Sequence, residues 1–304
     1  MNVPVPRTIE EYLAQLRAAL RGADPAMIQD ALYDAEEHLR AELAEREDHD
    51  EAAMLAEVVG SYGAPEEVAE IYRDQEVTVQ RALRTPRSPP RRSAIGRFFG
   101  VAADPHTYGA LFYMLLALAT GIFYFTWTMA GIGMSLGFAV LIFGIPFLVL
   151  FIGTVRMLAL VEGRIVETML GVRMPRRPLP GNRELPWLKR IGAMFTDART
   201  WSTLLYMLLM LPLGVAYFVI VVTGIVTSFA LVVAPWLTLL LPYHGVMFDG
   251  EPWSPTGWEI WAIPAVSLFG VLLLFVVLHI ARGIGHVHGQ VAKHLLVRGG
   301  DRVA

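Results

Sequence analysis

Two histidine–carboxylate pairs stand at helical spacing near the N-terminus, His38 with Glu42 and Glu45 with His49. Residues four apart share a helix face, so either pair could offer an imidazole and a carboxylate to one cation. Four more histidines, His279, His286, His288 and His294, gather near the C-terminus, where imidazoles could titrate or bind a metal. The plainer reading of the first group is a solvated charged helix, and of the second a basic stub. Cysteine is absent, which excludes a disulfide scaffold, a thiolate metal site and a Cys nucleophile. No phosphate loop, His-Glu-x-x-His, Gly-x-Ser-x-Gly or carboxylate pair beside a nucleophile occurs. The chain is therefore expected to be non-enzymatic, with no cofactor and no bound metal.

The elements that would position these residues divide by charge. Residues 1–76 carry 19 acids against 6 arginines, and the rest of the 304 residues carries 9 acids against 19 bases. An acidic water-soluble module is thus joined to a basic-flanked membrane module. Between Asp104 and Arg156 lie 51 residues without a formal charge, between Arg199 and Asp249 another 49, and between Glu259 and Arg282 another 22. A crossing of the roughly 30 Å hydrocarbon layer takes about 20 apolar residues. The first run fits two crossings and the last one. The middle run fits two short crossings, or one followed by an interfacial stretch. A soluble helical core is excluded because segments such as 141–153 are apolar on every side.

Basic residues set the expected orientation. Arg81, Arg84, Arg87, Arg91, Arg92 and Arg97, broken by Pro86, Pro89 and Pro90, read as a stiff juxtamembrane linker over 81–97. No leader segment precedes the acidic module, so it is expected in the cytoplasm. Arg156 to Arg190 and the tail from Arg282 carry further bases, whereas the loop from Tyr243 to Trp258 carries only Asp249 and Glu251. The positive-inside rule then places both termini in the cytoplasm of a multi-pass inner-membrane protein with four crossings. Ser228 to Leu241 would lie at the outer interface beside Trp236, Tyr243, Trp253, Trp258 and Trp261. Five crossings are the alternative.

An internal repeat supports four. Segments 104–125 and 197–218 align without gaps, with half of their 22 positions identical, among them Asp104/Asp197, Thr107/Thr200 and Gly121/Gly214. The segments after Arg156 and after Arg282 share a second pattern. Each half, starting near 104 and 197, reads as a hairpin ending in a cytoplasmic amphipathic stub, in parallel rather than inverted duplication. Asp104 and Asp197 read as helix N-caps. Gly133 with Gly137, and Ala117 with Gly121, permit close helix contact, so Gly121, Gly133, Gly137 and Gly214 are candidate packing positions, within the chain or in a homodimer. Pro146, Pro212, Pro235 and Pro264 are expected to kink or interrupt helices.

The acidic module (1–80) reads as a small helical bundle. Ile9, Tyr12, Leu13, Leu16 and Leu20 share a face, and Gly22 stops that helix. Asp24 and Pro25 open a second helix lined by Met27, Ile28, Ala31, Leu32, Ala35, Leu39 and Leu43. A third runs from about Asp50 to Tyr62. Gly63 and Pro65 introduce a fourth, with Val68, Ala69, Ile71 and Tyr72 buried. About 70 residues bury little, so packing on a partner or on itself is expected.

The order IEEYLAQLRAAL, DALYDAEEHLRAEL and YGAPEEVAEIY over residues 8–76 resembles the HAAS signalling domain, a cytoplasmic helical module of bacterial membrane proteins. The membrane part, 98–298, with two aromatic-x-x-L-x-Y-x-L-L runs and Gly-Ile-Pro at 144–146, resembles the sensor domain that precedes the kinase core in many bacterial histidine kinases. No phosphoacceptor helix or ATP domain follows it, so signalling through something other than its own kinase is expected. The resemblance implies a PadR-type transcriptional regulator as a candidate cytoplasmic partner. It also implies that Tyr12, Leu16, Glu36, His38, Leu39, Gly63, Pro65 and Glu66 are candidates for partner binding. Membrane lipids are expected partners and nucleic acid is not. The expected function is to relay a membrane or outer-surface stimulus to that partner; the alternatives are a subunit of a transport or lipid-handling complex and a membrane scaffold without stimulus dependence.

Overall fold

The computed structural model describes residues 5–46, 50–83, 93–138, 144–178, 187–240, 247–248, 250–252 and 260–297. Helices α1 (Ile9–Ala19), α2 (Pro25–Glu45), α3 (Glu51–Ser61) and α4 (Pro65–Leu83) form the acidic bundle. Polar side chains start three of them: Thr8 accepts from the Glu11 amide, Asp24 from that of Ala26, and Asp50 from those of Ala52 and Ala53. At the fourth, Glu67 reaches back to the Ala64 amide. Ile9, Tyr12, Leu16 and Leu20 pack against Met27, Leu32, Leu39, Met54, Leu55, Val68 and Ala69, all buried. Tyr12 donates to the Gly63 carbonyl (2.9 Å) and Tyr72 to Asp34 (3.1 Å), tying α1 and α2 to the last turn and helix.

Among the described residues four further helices are long and apolar enough to cross a membrane: α6 (Pro105–Phe138), α7 (Gly144–Leu170), α9 (Ala198–Leu240) and α10 (Ala262–Leu296). Short helices α5 (Ala94–Phe99) and α8 (Trp187–Thr196) precede α6 and α9. A two-residue antiparallel ladder pairs Met247 with Pro252 and Phe248 with Glu251. The chain forms two compact units, one of Met1–Thr85, Ala130–Tyr206 and Gly289–Ala304, the other of Pro86–Met129 and Met207–His288.

The repeat is visible in side-chain detail in both units. In the second, Asp104 caps α6 through the His106 amide and pairs with Arg282 of α10 (3.2 Å). Tyr113 of α6 meets His288 of α10, whose other ring nitrogen lies 3.1 Å from the Tyr217 hydroxyl. In the first, Asp197 caps α9 through the Arg199 amide and pairs with Arg156 of α7 (3.2 Å), while Tyr206 donates to Glu162 of α7 (2.9 Å). Asp104 and Tyr113 lie 93 residues before Asp197 and Tyr206, and Arg156 and Glu162 lie 126 before Arg282 and His288. Each cap aspartate therefore takes its arginine from the other half of the duplication. The larger offset of the second helices is taken up by the longer α9, the longer first part of α10 and the longer segment between them.

Several expectations need correction. Ile71 is 52% exposed, because α4 buries Val68, Ala69 and Pro65 instead. Helix α4 runs on to Leu83 and α5 begins at Ala94, so both ends of the 81–97 stretch are helical; its centre, 84–92, is outside the described residues. Ser228 to Leu240 is a continuous part of α9, one element of 43 residues, about 64 Å at 1.5 Å per residue and so roughly twice the hydrocarbon thickness, with Pro212 and Pro235 inside it; Leu241 is outside the described residues. The amphipathic stubs are likewise continuations of α7 and α10. Pro146 and Pro264 sit in the first turns of α7 and α10, where a missing N–H costs no helical bond. Trp236 and Trp261 are exposed, and Trp236 donates to Ser267 (2.8 Å). Tyr243, Trp253 and Trp258 are outside the described residues.

Candidate functional site

The first unit brings the acidic bundle onto the ends of three membrane-crossing helices. Gly171 (φ 68°) closes α7 in the left-handed conformation that a side chain resists, and its amide bonds the Glu167 carbonyl. The chain then turns, and the segment 171–178 lies along the first turns of α2.

Arg173 is the centre of this joint. Its side chain is 8% exposed and lies among three carboxylates from three elements: Asp30 of α2 at 2.8 Å, Glu76 of α4 at 3.2 Å and Glu167 of α7 at 3.4 Å. It also donates to the Met174 carbonyl. The second Asp30 oxygen accepts from the backbone amides of Arg176 (2.6 Å) and Arg177 (2.8 Å). One carboxylate thus takes three donors from a single loop. Arg176 returns to Glu167 (3.3 Å), and Arg177 pairs with Asp34 (2.8 Å) one turn beyond Asp30 while lying over the Tyr33 ring.

Gln29 extends the joint. Its amide donates to the Arg177 carbonyl (2.6 Å) and its oxygen accepts from Arg199 at the start of α9 (2.9 Å). Arg199 also reaches the Val297 carbonyl just past α10, and Lys293 of α10 pairs with Asp24, the N-cap of α2. The first three turns of α2 therefore touch the loop after α7, the start of α9 and the end of α10.

Burial pushes the Asp30 carboxyl above its ordinary range, against the donors of Arg176, Arg173 and Arg177 that favour its charged form. Burial alone would lower the Arg173 guanidinium. The surrounding carboxylates outweigh it and hold Arg173 higher than usual, so it stays a cation. Such a group is costly to leave unpaired: removing one partner of a buried pair costs about 3–5 kcal/mol. The arrangement can transmit position. Its contacts of 2.6–3.4 Å do not survive the 1–2 Å helix shifts typical of switching proteins, so displacing any one helix end forces re-pairing.

The sequence-derived partner candidates fall in two groups. Tyr12, Leu16 and Leu39 are fully buried in the bundle core and Pro65 is buried with them, so they shape the module rather than face outward. Glu36 is buried and paired with Arg40 (2.9 Å), and His38 stacks on Tyr62 at 4.4 Å. Gly63 (φ 109°) accepts from Tyr12, and Glu66 is exposed at the start of α4. Of the packing candidates, Gly121 and Gly214 lie against backbone of the opposite helix, whereas Gly133 and Gly137 face open space. His279 bonds the Phe98 carbonyl (3.0 Å). Asp30, Glu76, Arg173 and Arg199 were not singled out by sequence. The available signal was Asp30 and Asp34 one turn apart at the edge of the apolar stripe of α2.

A family model described as Putative sensor matches residues 113–296, more than half of the chain, and one described as HAAS matches residues 11–71. No curated protein and no solved structure matches the chain.

Proposed function

We propose, from the premise that this chain belongs to the Putative sensor family and carries a HAAS module ahead of the membrane part, that it relays a membrane or outer-surface stimulus through the Arg173 joint to a cytoplasmic regulator. A membrane sensor and signalling role fits both domains and the four membrane-crossing helices. The finer reading has both termini in the cytoplasm of the bacterial inner membrane, no catalytic step, and a regulator of the PadR type as the partner.

The observation that carries it is that one helix of the acidic bundle, α2, bonds to elements attached to α7, α9 and α10 at once. A change in how these helices pack would alter the grip on α2 and so the pose of the bundle. The surface left for a partner is acidic: Glu10, Glu11, Glu37, Glu45, Glu66, Glu67, Glu70 and Asp74 are exposed. It favours a partner with a basic face.

The test uses the full chain in its native membrane. Chemical crosslinking and mass spectrometry should recover a transcriptional regulator with wild type, much less with Glu66→Lys/Glu67→Lys/Glu70→Lys, and an altered amount with Arg173→Ala. Recovery unchanged in both variants sinks the reading. Recovery of a transport ATPase, or solute flux in proteoliposomes, would favour the transport-complex alternative instead.

A further inference from the structure

Within the first unit a crevice of about 110 Å³ opens between α7, α9 and the loop after α7, lined by Arg156, Arg199, Asp197, Thr200 and Thr203 on its polar side. Gln29 of the acidic bundle closes one end, and Val155, Ala159, Leu160 and Leu296 supply apolar walls. We infer that this crevice binds the phosphate head of an anionic glycerophospholipid.

Charge favours an anion. Two guanidiniums face one carboxylate, and the Arg156–Asp197 pair is about one-third exposed and so open to exchange with a ligand. Arg156 donates to Thr200 (3.1 Å) and to Asp197; Arg199 donates to Gln29 and to the Val297 carbonyl. Thr203, nearly buried, adds a hydroxyl. Guanidinium and hydroxyl groups gathered on one side of an otherwise apolar crevice suit phosphate oxygens. The space is of the order of several water molecules, enough for a phosphodiester and too small for an acyl chain.

The duplication provides an internal comparison. At the corresponding positions of the second unit Arg156 is matched by Arg282, Asp197 by Asp104 and Thr200 by Thr107. Arg199 is matched by His106 and Thr203 by Ala110. The shared residues make the cap and ion pair in both halves. The second guanidinium and the extra hydroxyl occur only in the first unit, with the crevice, so the cap does not require them.

The lipid source follows from the flanks. Beside the lining positions, Met157 and Val161 of α7 and Trp201 and Leu205 of α9 are each at least half exposed. These belong to helices that cross the membrane and offer acyl chains an apolar bed. Basic pockets between helices at the cytoplasmic side are established headgroup sites in general. A lipid there would also touch Gln29 and thereby load the joint; that consequence rests on the proposed relay, whereas the binding does not.

The experiment reads lipid directly. Full-length protein in phosphatidylcholine nanodiscs, with and without phosphatidylglycerol, is released into native mass spectrometry and its retained lipid counted. Wild type should keep phosphatidylglycerol in preference to phosphatidylcholine. Arg199→Gln should lower retention about tenfold, the loss of one charge-assisted contact. Ala159→Phe, which fills the crevice, and Thr203→Val, which keeps shape but removes a hydroxyl, should lower it while leaving the Arg173 contacts in place. Equal retention of the two lipids by wild type, or undiminished retention by Arg199→Gln and Ala159→Phe, overturns the assignment. Displacement of phosphatidylglycerol by inorganic phosphate would assign the crevice to a free anion and overturn the lipid source. Lipid lost from Thr203→Val with regulator recovery unchanged would leave the site standing and remove only its link to the relay.

Discussion

Gly121 of α6 and Gly214 of α9 each sit against the other's helix: a Cβ built on Gly121 would overlap the Met210 carbonyl, and one on Gly214 the Ala117 carbonyl. All four positions obey the same 93-residue offset, so the crossing is reciprocal and belongs to the duplication itself. Without a side chain at either site the two backbones come close enough for dispersion to hold them in lipid.

The glycine crossing predicts matched losses. Gly121→Ala and Gly214→Ala should each destabilise the protein by about 1–3 kcal/mol, because backbone rather than a flexible side chain must move. Gly133→Ala, where the added methyl meets nothing within 4 Å, should be near neutral. Thermal unfolding in detergent, comparing the three, measures this.

Arg173 predicts an asymmetry between removal and replacement. Arg173→Ala leaves Asp30, Glu76 and Glu167 facing one another in a buried place and should weaken bundle docking by about 3–5 kcal/mol. Arg173→Lys keeps the charge but cannot spread donors over three carboxylates, and should recover only part of the loss. Hydrogen exchange of the Arg176 and Arg177 amides, which bond Asp30, reports docking locally.

The bundle and the joint differed in how readable they were. Caps and core stripes of α1 to α4 follow from short-range rules: a capping side chain, a left-handed glycine and an i, i+3, i+4 apolar face are written in consecutive residues. The joint is not. Arg173 stands in a basic stretch that a membrane protein needs for orientation, and nothing local distinguishes the one arginine that is buried from its neighbours. Its partners lie 6, 97 and 143 residues away in the chain. The prolines of α9 show the same limit: within an apolar run they suggest a kink or a break, and the helix carries both Pro212 and Pro235 without ending.

Core substitutions in the bundle separate structure from partner contact. Leu16→Ala and Leu39→Ala, both at fully buried sites, should cost about 2–5 kcal/mol. Tyr12→Phe, which removes only the bond to the Gly63 carbonyl, should cost about 0.5–1.5 kcal/mol. Glu66→Gln, exposed on α4, should leave unfolding unchanged within error and act, if at all, on partner recovery. Chemical denaturation followed through helix content ranks the four.

Asp30 makes the joint pH-dependent with a definite sign. Burial raises its pKa in the folded protein above the ordinary value near 3.9, so the docked state binds a proton more readily than the undocked one. Where the undocked state holds fewer protons, stability falls as pH rises. Asp30 should therefore weaken docking progressively as pH climbs from the ordinary carboxylate value through the raised one, and have no further effect above it. Asp30→Asn keeps an oxygen for the Arg176 and Arg177 amides and cannot titrate. It loses the ion pair with Arg173, so its docking should be weaker overall, yet its pH profile should be flatter across that window. The measurement is hydrogen-exchange protection of the two amides against pH in wild type and Asp30→Asn, and the difference between the curves isolates this carboxyl from every other acid in the chain. A difference that stays constant across the window, or one of opposite slope, would show that Asp30 is held charged by its three donors and that burial does not dominate there.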